Sequence, residues 1–122
     1  MDATAKEIIK NFYDSAAKKS DKWQENLADE VSFSVASEKK FAGKETFIRT
    51  YTAVLQAVEE MDVKQLITGG DTVCAIVSYD YISPMKARLH QEVAEVWKVV
   101  DGKIASFTLY YDEGEYRSFI GK

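Results

Sequence analysis

The chain has one cysteine, so no intramolecular disulfide can form, and a reducing compartment suits it. Cys74 lies between Val73 and Ala75, with no histidine or basic residue beside it to lower the thiol pKa, and reads as an inert strand thiol. His90 is the only histidine. No His, Cys, Asp and Glu set has metal-ligand spacing, which argues against a metal. Ser32, Ser34 and Ser78 lack a histidine partner, which argues against triad hydrolysis. Gly69-Gly70 is a hairpin turn rather than a strand-to-helix phosphate cradle, and no cofactor is expected. No apolar run approaches the length of a membrane span, so no membrane partner is expected. The opening MDATAKEIIKNF has neither the basic start nor the apolar run of a signal peptide, and a cytoplasmic location is expected. Basic residues do not cluster beyond Lys18-Lys19 and Lys39-Lys40. With 16 basic against 20 acidic residues the net charge is -4, which disfavours nucleic acid as a partner.

What is present is an ordinary globular composition, 46% apolar, incompatible with intrinsic disorder. Residues 1–122 fit one domain, long enough to bury roughly two-thirds of its unfolded surface. Ala5, Ile8, Ile9, Phe12 and Ala16 form one apolar stripe of a first helix, with Asp2 or Thr4 as its N-cap. Ser20 or Asp21 then caps a short second helix carrying Trp23 and Leu27. Val31, Phe33 and Val35 alternate with serines as a half-buried strand. After Gly43 a third helix starts near Lys44, with Phe47, Ile48, Tyr51, Leu55 and Val58 inward.

The remainder reads as a meander of four strands. The first sets Val63, Gln65 and Ile67 against Lys64, Leu66 and Thr68. The others are Thr72–Ile82, Arg88–Val100 and Ile104–Asp112, with turns at Gly69-Gly70-Asp71, Ser83-Pro84 and Asp101-Gly102. Glu113 to Ile120 forms a last helical turn, which Asp112 is placed to cap. Helices first and strands second predict an α+β layer architecture.

In order, IIKNFYDSAAKKSD, LADEVSF, AGKETFIR and AEVWKVVDGKIASFTLYYD resemble the nuclear transport factor 2-like superfamily, which includes SnoaL-like polyketide cyclases and ketosteroid isomerase. The resemblance covers nearly the whole chain. It implies a cone-shaped, cystatin-like fold: three N-terminal helical segments packed on a curved antiparallel sheet, with a pocket between them. It also places the residues sharing a face with Val77, Trp97 and Leu109 toward that pocket. Because the scaffold hosts several kinds of function, the side chains have to be weighed individually.

The expected pocket wall is Phe12, Tyr13, Trp23, Tyr51, Tyr79 and Trp97, with Phe107, Leu109 and Tyr111 from the last strand. Gln91 and Glu95 are the polar residues of the inward set, and Glu95 is the candidate acid. A carboxyl among aromatic rings has a raised pKa and serves as a proton or hydrogen-bond donor. The resemblance puts the isomerase's protonated oxyanion-site acid, and the cyclases' strand histidine, at Glu95. It puts the isomerase's base at or near Val35 and its tyrosine on Phe12, one residue from Tyr13, and the cyclases' acid/base aspartate on Leu109. Three readings follow: a domain binding a small apolar or carbonyl-bearing molecule; a non-catalytic interaction module; an isomerase or cyclase using Glu95 as acid. Aromatic side chains that simply fill a core, and a Glu95 at a wet mouth or paired with Arg88 or Arg49, are the plainer alternatives. The outer sheet face carries Ile76, Ala94, Val96, Val100 and Tyr110 among polar residues, which predicts a homodimer through that face.

Overall fold

The computed structural model describes residues 4–35 and 40–120. Asp2, one of the two expected caps, lies outside them. Thr4 caps α1 (Ala5–Ala17), its hydroxyl accepting from Glu7 N at 3.2 Å, and Ile8, Ile9, Phe12, Tyr13 and Ala16 are buried. The expected second helix is a single 3-10 turn, Asp21–Gln24, capped by Ser20. Leu27, expected on it, instead begins β1 (Leu27–Val35). Ile104 N donates to Asn26 O at 2.7 Å, and this bond to the last strand starts extended pairing where a longer helix would otherwise run.

A two-residue strand, β2 (Phe41–Ala42), precedes α2 (Lys44–Ala57). Gly43 joins them at φ +110°, a conformation that L side chains rarely adopt. Strands β3 (Val58–Gly69), β4 (Thr72–Ile82), β5 (Arg88–Val100) and β6 (Lys103–Tyr110) follow, then α3 (Glu113–Ile120). At the Asp101-Gly102 turn both residues have positive φ, as a two-residue hairpin requires. Asp112 caps α3, accepting from Glu115 N at 3.0 Å.

The six strands form one curved sheet in the order β2-β1-β6-β5-β4-β3. The expected all-antiparallel sheet is in fact mixed, because β1 and β6 run parallel while the other pairs are antiparallel. Alternation within a strand records which face is buried but not which strand lies alongside, and β6 reaches β1 only after the whole meander has been laid down.

No loop separates α2 from β3. Val58, expected on the helix, opens the strand opposite Tyr81. The register of β3 shifts between Val63 and Gln65, so Lys64 is an extra residue that reverses the alternation beyond it. Val63 and Leu66 consequently pack on the core, while Ile67, expected beside Val63, is half exposed.

The alternation read for β4 and β5 matches their burial. Val73, Ala75, Val77, Tyr79 and Tyr81, and Gln91, Val93, Glu95, Trp97 and Val99, are all buried under the helices. The densest packing surrounds Phe12, whose ring centroid lies 4.6 Å from Trp97, 5.3 Å from Tyr51, 5.6 Å from Tyr13 and 5.7 Å from Trp23. Among the described residues no helix is long and apolar enough to cross a membrane.

Phe12 links α1 to α2 and the sheet. Phe12→Ala is expected to lower unfolding free energy by about 3–5 kcal/mol, as large-to-small changes at fully packed aromatic sites do. Urea denaturation measures it, and a loss under about 1 kcal/mol would contradict this packing account.

Candidate functional site

Beside Glu95 there is a cavity of about 310 Å³. One stripe of α2 provides Thr46, Phe47, Thr50, Tyr51 and Val54, residues that share a helix face by their spacing. Alternate positions of the strands provide Phe33 and Val35 from β1, Tyr79 and Tyr81 from β4, Glu95 from β5, and Phe107 and Leu109 from β6. Phe41 of β2, Tyr111 and Tyr116 of α3 complete the wall.

Of the residues expected to bind a ligand, Tyr51, Tyr79, Glu95, Phe107, Leu109 and Tyr111 line this cavity. Phe12, Trp23 and Trp97 lie outside it, packed together beneath its floor. Tyr13 is buried behind Glu95. Gln91 also lies outside the cavity: its amide donates to Asp112 O and to Glu115 Oε1, both at 3.0 Å, and so braces the start of α3. Sequence reasoning missed Phe33, Val35, Phe41, Thr46, Phe47, Thr50, Val54, Tyr81 and Tyr116 as wall residues. The helical spacing around Tyr51 and the two-residue step from Tyr79 to Tyr81 carried the signal for several of these. Phe41 and Tyr116 come from elements whose docking only the fold defines.

Glu95 is the sole carboxylate among the described wall residues and is 2% exposed. Tyr13 Oη donates to its Oε1 at 2.5 Å, and Trp97 Nε1 in turn donates to Tyr13 Oη at 2.8 Å. Tyr79 Oη lies 3.1 Å from both carboxyl oxygens, and Tyr51 Oη lies 3.4 Å beyond it. Among the described residues no lysine or arginine lines the site; Arg88 pairs with Glu59 instead. Burial pushes the Glu95 carboxyl up to about 7, against the pull of the two tyrosine hydrogen bonds. Burial, and then the Glu95 charge, drive Tyr13, Tyr51 and Tyr79 well above the usual phenol range, so all three remain neutral donors. Oε1 accepts from both Tyr13 and Tyr79, whereas Oε2 meets Tyr79 alone and is the less committed oxygen.

A second polar group lies on the opposite side of the sheet. His90 Nδ1 is 2.6 Å from Asp80 Oδ1, and His90 Nε2 is 3.3 Å from Ser78 Oγ. The expectation that Ser78 lacks a histidine partner is therefore corrected. The two residues are twelve apart in sequence but adjacent across the β4–β5 pairing. Among the described residues no group of three or more His, Cys, Asp and Glu could hold a metal ion.

Glu95 gives the fold a defined pH response. The folded form keeps the proton up to about pH 7, whereas a glutamate of ordinary pKa 4.5 releases it earlier. The stabilising effect of the neutral carboxyl is thus complete below pH 4.5 and is lost as pH rises through 7. The loss is on the order of 3 kcal/mol, at about 1.4 kcal/mol per unit. In denaturation series across that range, the wild type should lose stability relative to Glu95→Gln. Parallel profiles would show that Glu95 titrates normally.

The SnoaL-like domain family matches residues 9–107, from α1 into β6. No curated protein matches the sequence. Solved structures do. An NTF2-like protein from Burkholderia thailandensis E264 superposes with a TM-score of 0.84 at 17% identity, over 95% of this chain and 96% of that one. A candidate SnoaL-like polyketide cyclase from Jannaschia sp. CCS1 gives 0.82 at 15% identity, over 95% and 90%. TerC co-crystallised with polyporic acid gives 0.82 at 14% identity, over 98% and 100%. At such identities the likeness is one of fold. The family match extends over most of the chain and agrees with the layered sheet and helices, and the chain belongs to the SnoaL-like domain family of the nuclear transport factor 2-like superfamily.

Proposed function

We propose that this protein binds a compact, largely apolar, carbonyl-bearing molecule in the cavity, with Glu95 in its acid form donating a hydrogen bond to the carbonyl. The observation carrying this reading is a buried carboxyl, with no second carboxylate and no cation among the described wall residues, in a largely apolar and aromatic space. A few convergent polar groups in an apolar cleft is the usual make-up of a small-molecule site. The volume is at the small end of the roughly 300–1,000 Å³ range for such sites, which favours a ligand of few rings. Flat aromatic walls from Phe107, Tyr79 and Tyr81 suit a planar one. The co-crystallisation of TerC with polyporic acid is consistent with this class of ligand, although it concerns TerC alone.

The reading is of binding rather than turnover. The resemblance puts the isomerase's base at or near Val35 and the cyclases' acid/base on Leu109; both are cavity-wall residues that cannot carry a proton. A general acid without a partnered base polarises a carbonyl but does not by itself move a proton between carbons.

The bicyclic ketone 1-tetralone is a suitable probe, followed by calorimetry. Its affinity should rise as pH falls from 8 to 6, with a midpoint near the value of about 7 given for Glu95. Glu95→Gln should retain binding and lose the pH dependence, and Leu109→Trp should block the cavity. Binding insensitive to Leu109→Trp would refute the cavity as the site.

For the sheet's outer face we propose self-association. Tyr110 and Ile67 are 50% exposed and Val100 44%, with Ala94 and Val96 between them. In sedimentation equilibrium at micromolar concentration the chain should run as a dimer that Val96→Glu dissociates. A monomer mass for the wild type would remove this proposal.

A further inference from the structure

The cavity leaves one chemical arrangement unexplained, and it lies on the other side of the sheet. Ser78 on β4, His90 on β5 and Asp80 on β4 stand in hydrogen-bond sequence on the outer face. The Asp80–His90 contact has the distance of an acid–base relay, and the His90–Ser78 contact is slightly longer. Asp80 Oδ1 at 2.6 Å from Nδ1 fixes the imidazole with its proton on Nδ1. In the neutral imidazole, Nε2 then faces Ser78 Oγ at 3.3 Å and is placed to take its proton. Ser78 is largely buried while the His90 side chain is 61% exposed, so the relay opens to solvent on the histidine side.

Lys64 supplies a cation. It is the extra residue of the β3 bulge, and its ammonium lies 3.0 Å from Asp62, the residue opposite Ser78 on β3. Asp62 first, and Glu92 more weakly, hold Lys64 in its charged form, and Glu92 is the residue opposite Ser78 on β5. The ammonium is thus paired with Asp62, one strand neighbour of Ser78.

We propose that Ser78, His90 and Asp80 form an acyl-transfer site that hydrolyses small, uncharged or cationic esters. In the first step Ser78 Oγ bonds to the ester carbonyl carbon and its proton passes to His90 Nε2. The carbon–oxygen bond to the leaving alkoxide breaks, and that oxygen takes the proton from His90. Water then attacks the acyl-serine, giving one proton to His90. The serine ester bond breaks, Ser78 recovers the proton, and the carboxylic acid departs.

Charge and shape limit the substrate. Glu60, Asp62, Asp80 and Glu92 occupy facing positions around Ser78, so anionic esters are repelled. Backbone N–H groups in mid-strand belong to the ladder and offer no oxyanion hole, so catalysis is confined to esters with good leaving groups. Ser78 adjoins the outer apolar face, two residues along β4 from Ile76, while His90 and Asp80 lie on the side away from Val96 and Val100.

The test uses p-nitrophenyl acetate with the intact chain. Peptide mass mapping after a short exposure should place an acetyl group on Ser78. Ser78→Ala should abolish that adduct and bring hydrolysis down to the background set by other side chains. His90→Ala should slow acylation of Ser78 by at least about 100-fold, the usual size of a general-base contribution. A cationic choline ester should be preferred over an anionic aryl ester at low salt, and the preference should shrink at 1 M salt. Far-ultraviolet circular dichroism confirms that each variant is folded. Hydrolysis that survives in Ser78→Ala but is lost in His90→Ala would mean the exposed imidazole reacts alone, overturning the proposal. So would acetylation confined to lysines. Neither result bears on the cavity, because Glu95 faces the other side of the sheet.

Discussion

Trp97 is fully buried at the point where both long helices meet the sheet. Its ring lies 4.5 Å from Phe107 on the neighbouring strand, 4.6 Å from Phe12 of α1 and 6.4 Å from Phe47 of α2, centroid to centroid. Such ring pairs contribute roughly 0.5–1.5 kcal/mol each beyond their buried area, so one side chain joins three elements. Its indole N–H is also used, donating to Tyr13. The hydroxyl of Tyr13 is thereby aimed at Glu95, two residues along the same strand face. The dry packing and the polar site are consecutive layers of one arrangement: aromatic rings fill the floor, and the cavity begins where Glu95 replaces a ring.

That succession explains how a carboxyl survives in such a place. An isolated charged carboxylate in an apolar interior is prohibitively costly, and proteins respond by neutralising it. Tyrosine hydroxyls satisfy the oxygens of Glu95 without contributing a full positive charge, so the group is held near its titration point rather than locked as an ion pair. A lysine or arginine in place of Tyr13 would have lowered the carboxyl pKa and removed its ability to donate.

The sheet therefore works on two sides with different chemistry. On the concave side the helices exclude water and burial dominates. On the convex side the carboxylates, His90 and Lys64 stay in contact with solvent, and Coulomb effects are weaker and salt-dependent. The bulge at Lys64 serves both sides at once. It swings Leu66 onto the core and frees a lysine over the outer face.

Period-two alternation in β4 and β5, the helical stripes of α1 and α2, and the Asp-Gly turn were legible because each is local: burial of a face leaves its mark on consecutive residues. Glu95 was legible as an inward carboxyl for the same reason. The parallel β1–β6 pairing, the bulge at Lys64 and the passage of α2 straight into β3 were not, since partner and register are chosen between segments distant in the chain. The division of the aromatics belongs to the same class. Phe12, Trp23 and Trp97 have the composition of cavity walls, and only the approach of α1 to the sheet makes them core. Ser78 and His90 are unremarkable twelve residues apart; strand pairing alone brings oxygen and nitrogen to 3.3 Å. By itself the sequence determined which faces are buried, because water is excluded residue by residue. The tertiary structure decided which buried or exposed groups meet, because that depends on the geometry of closing long loops.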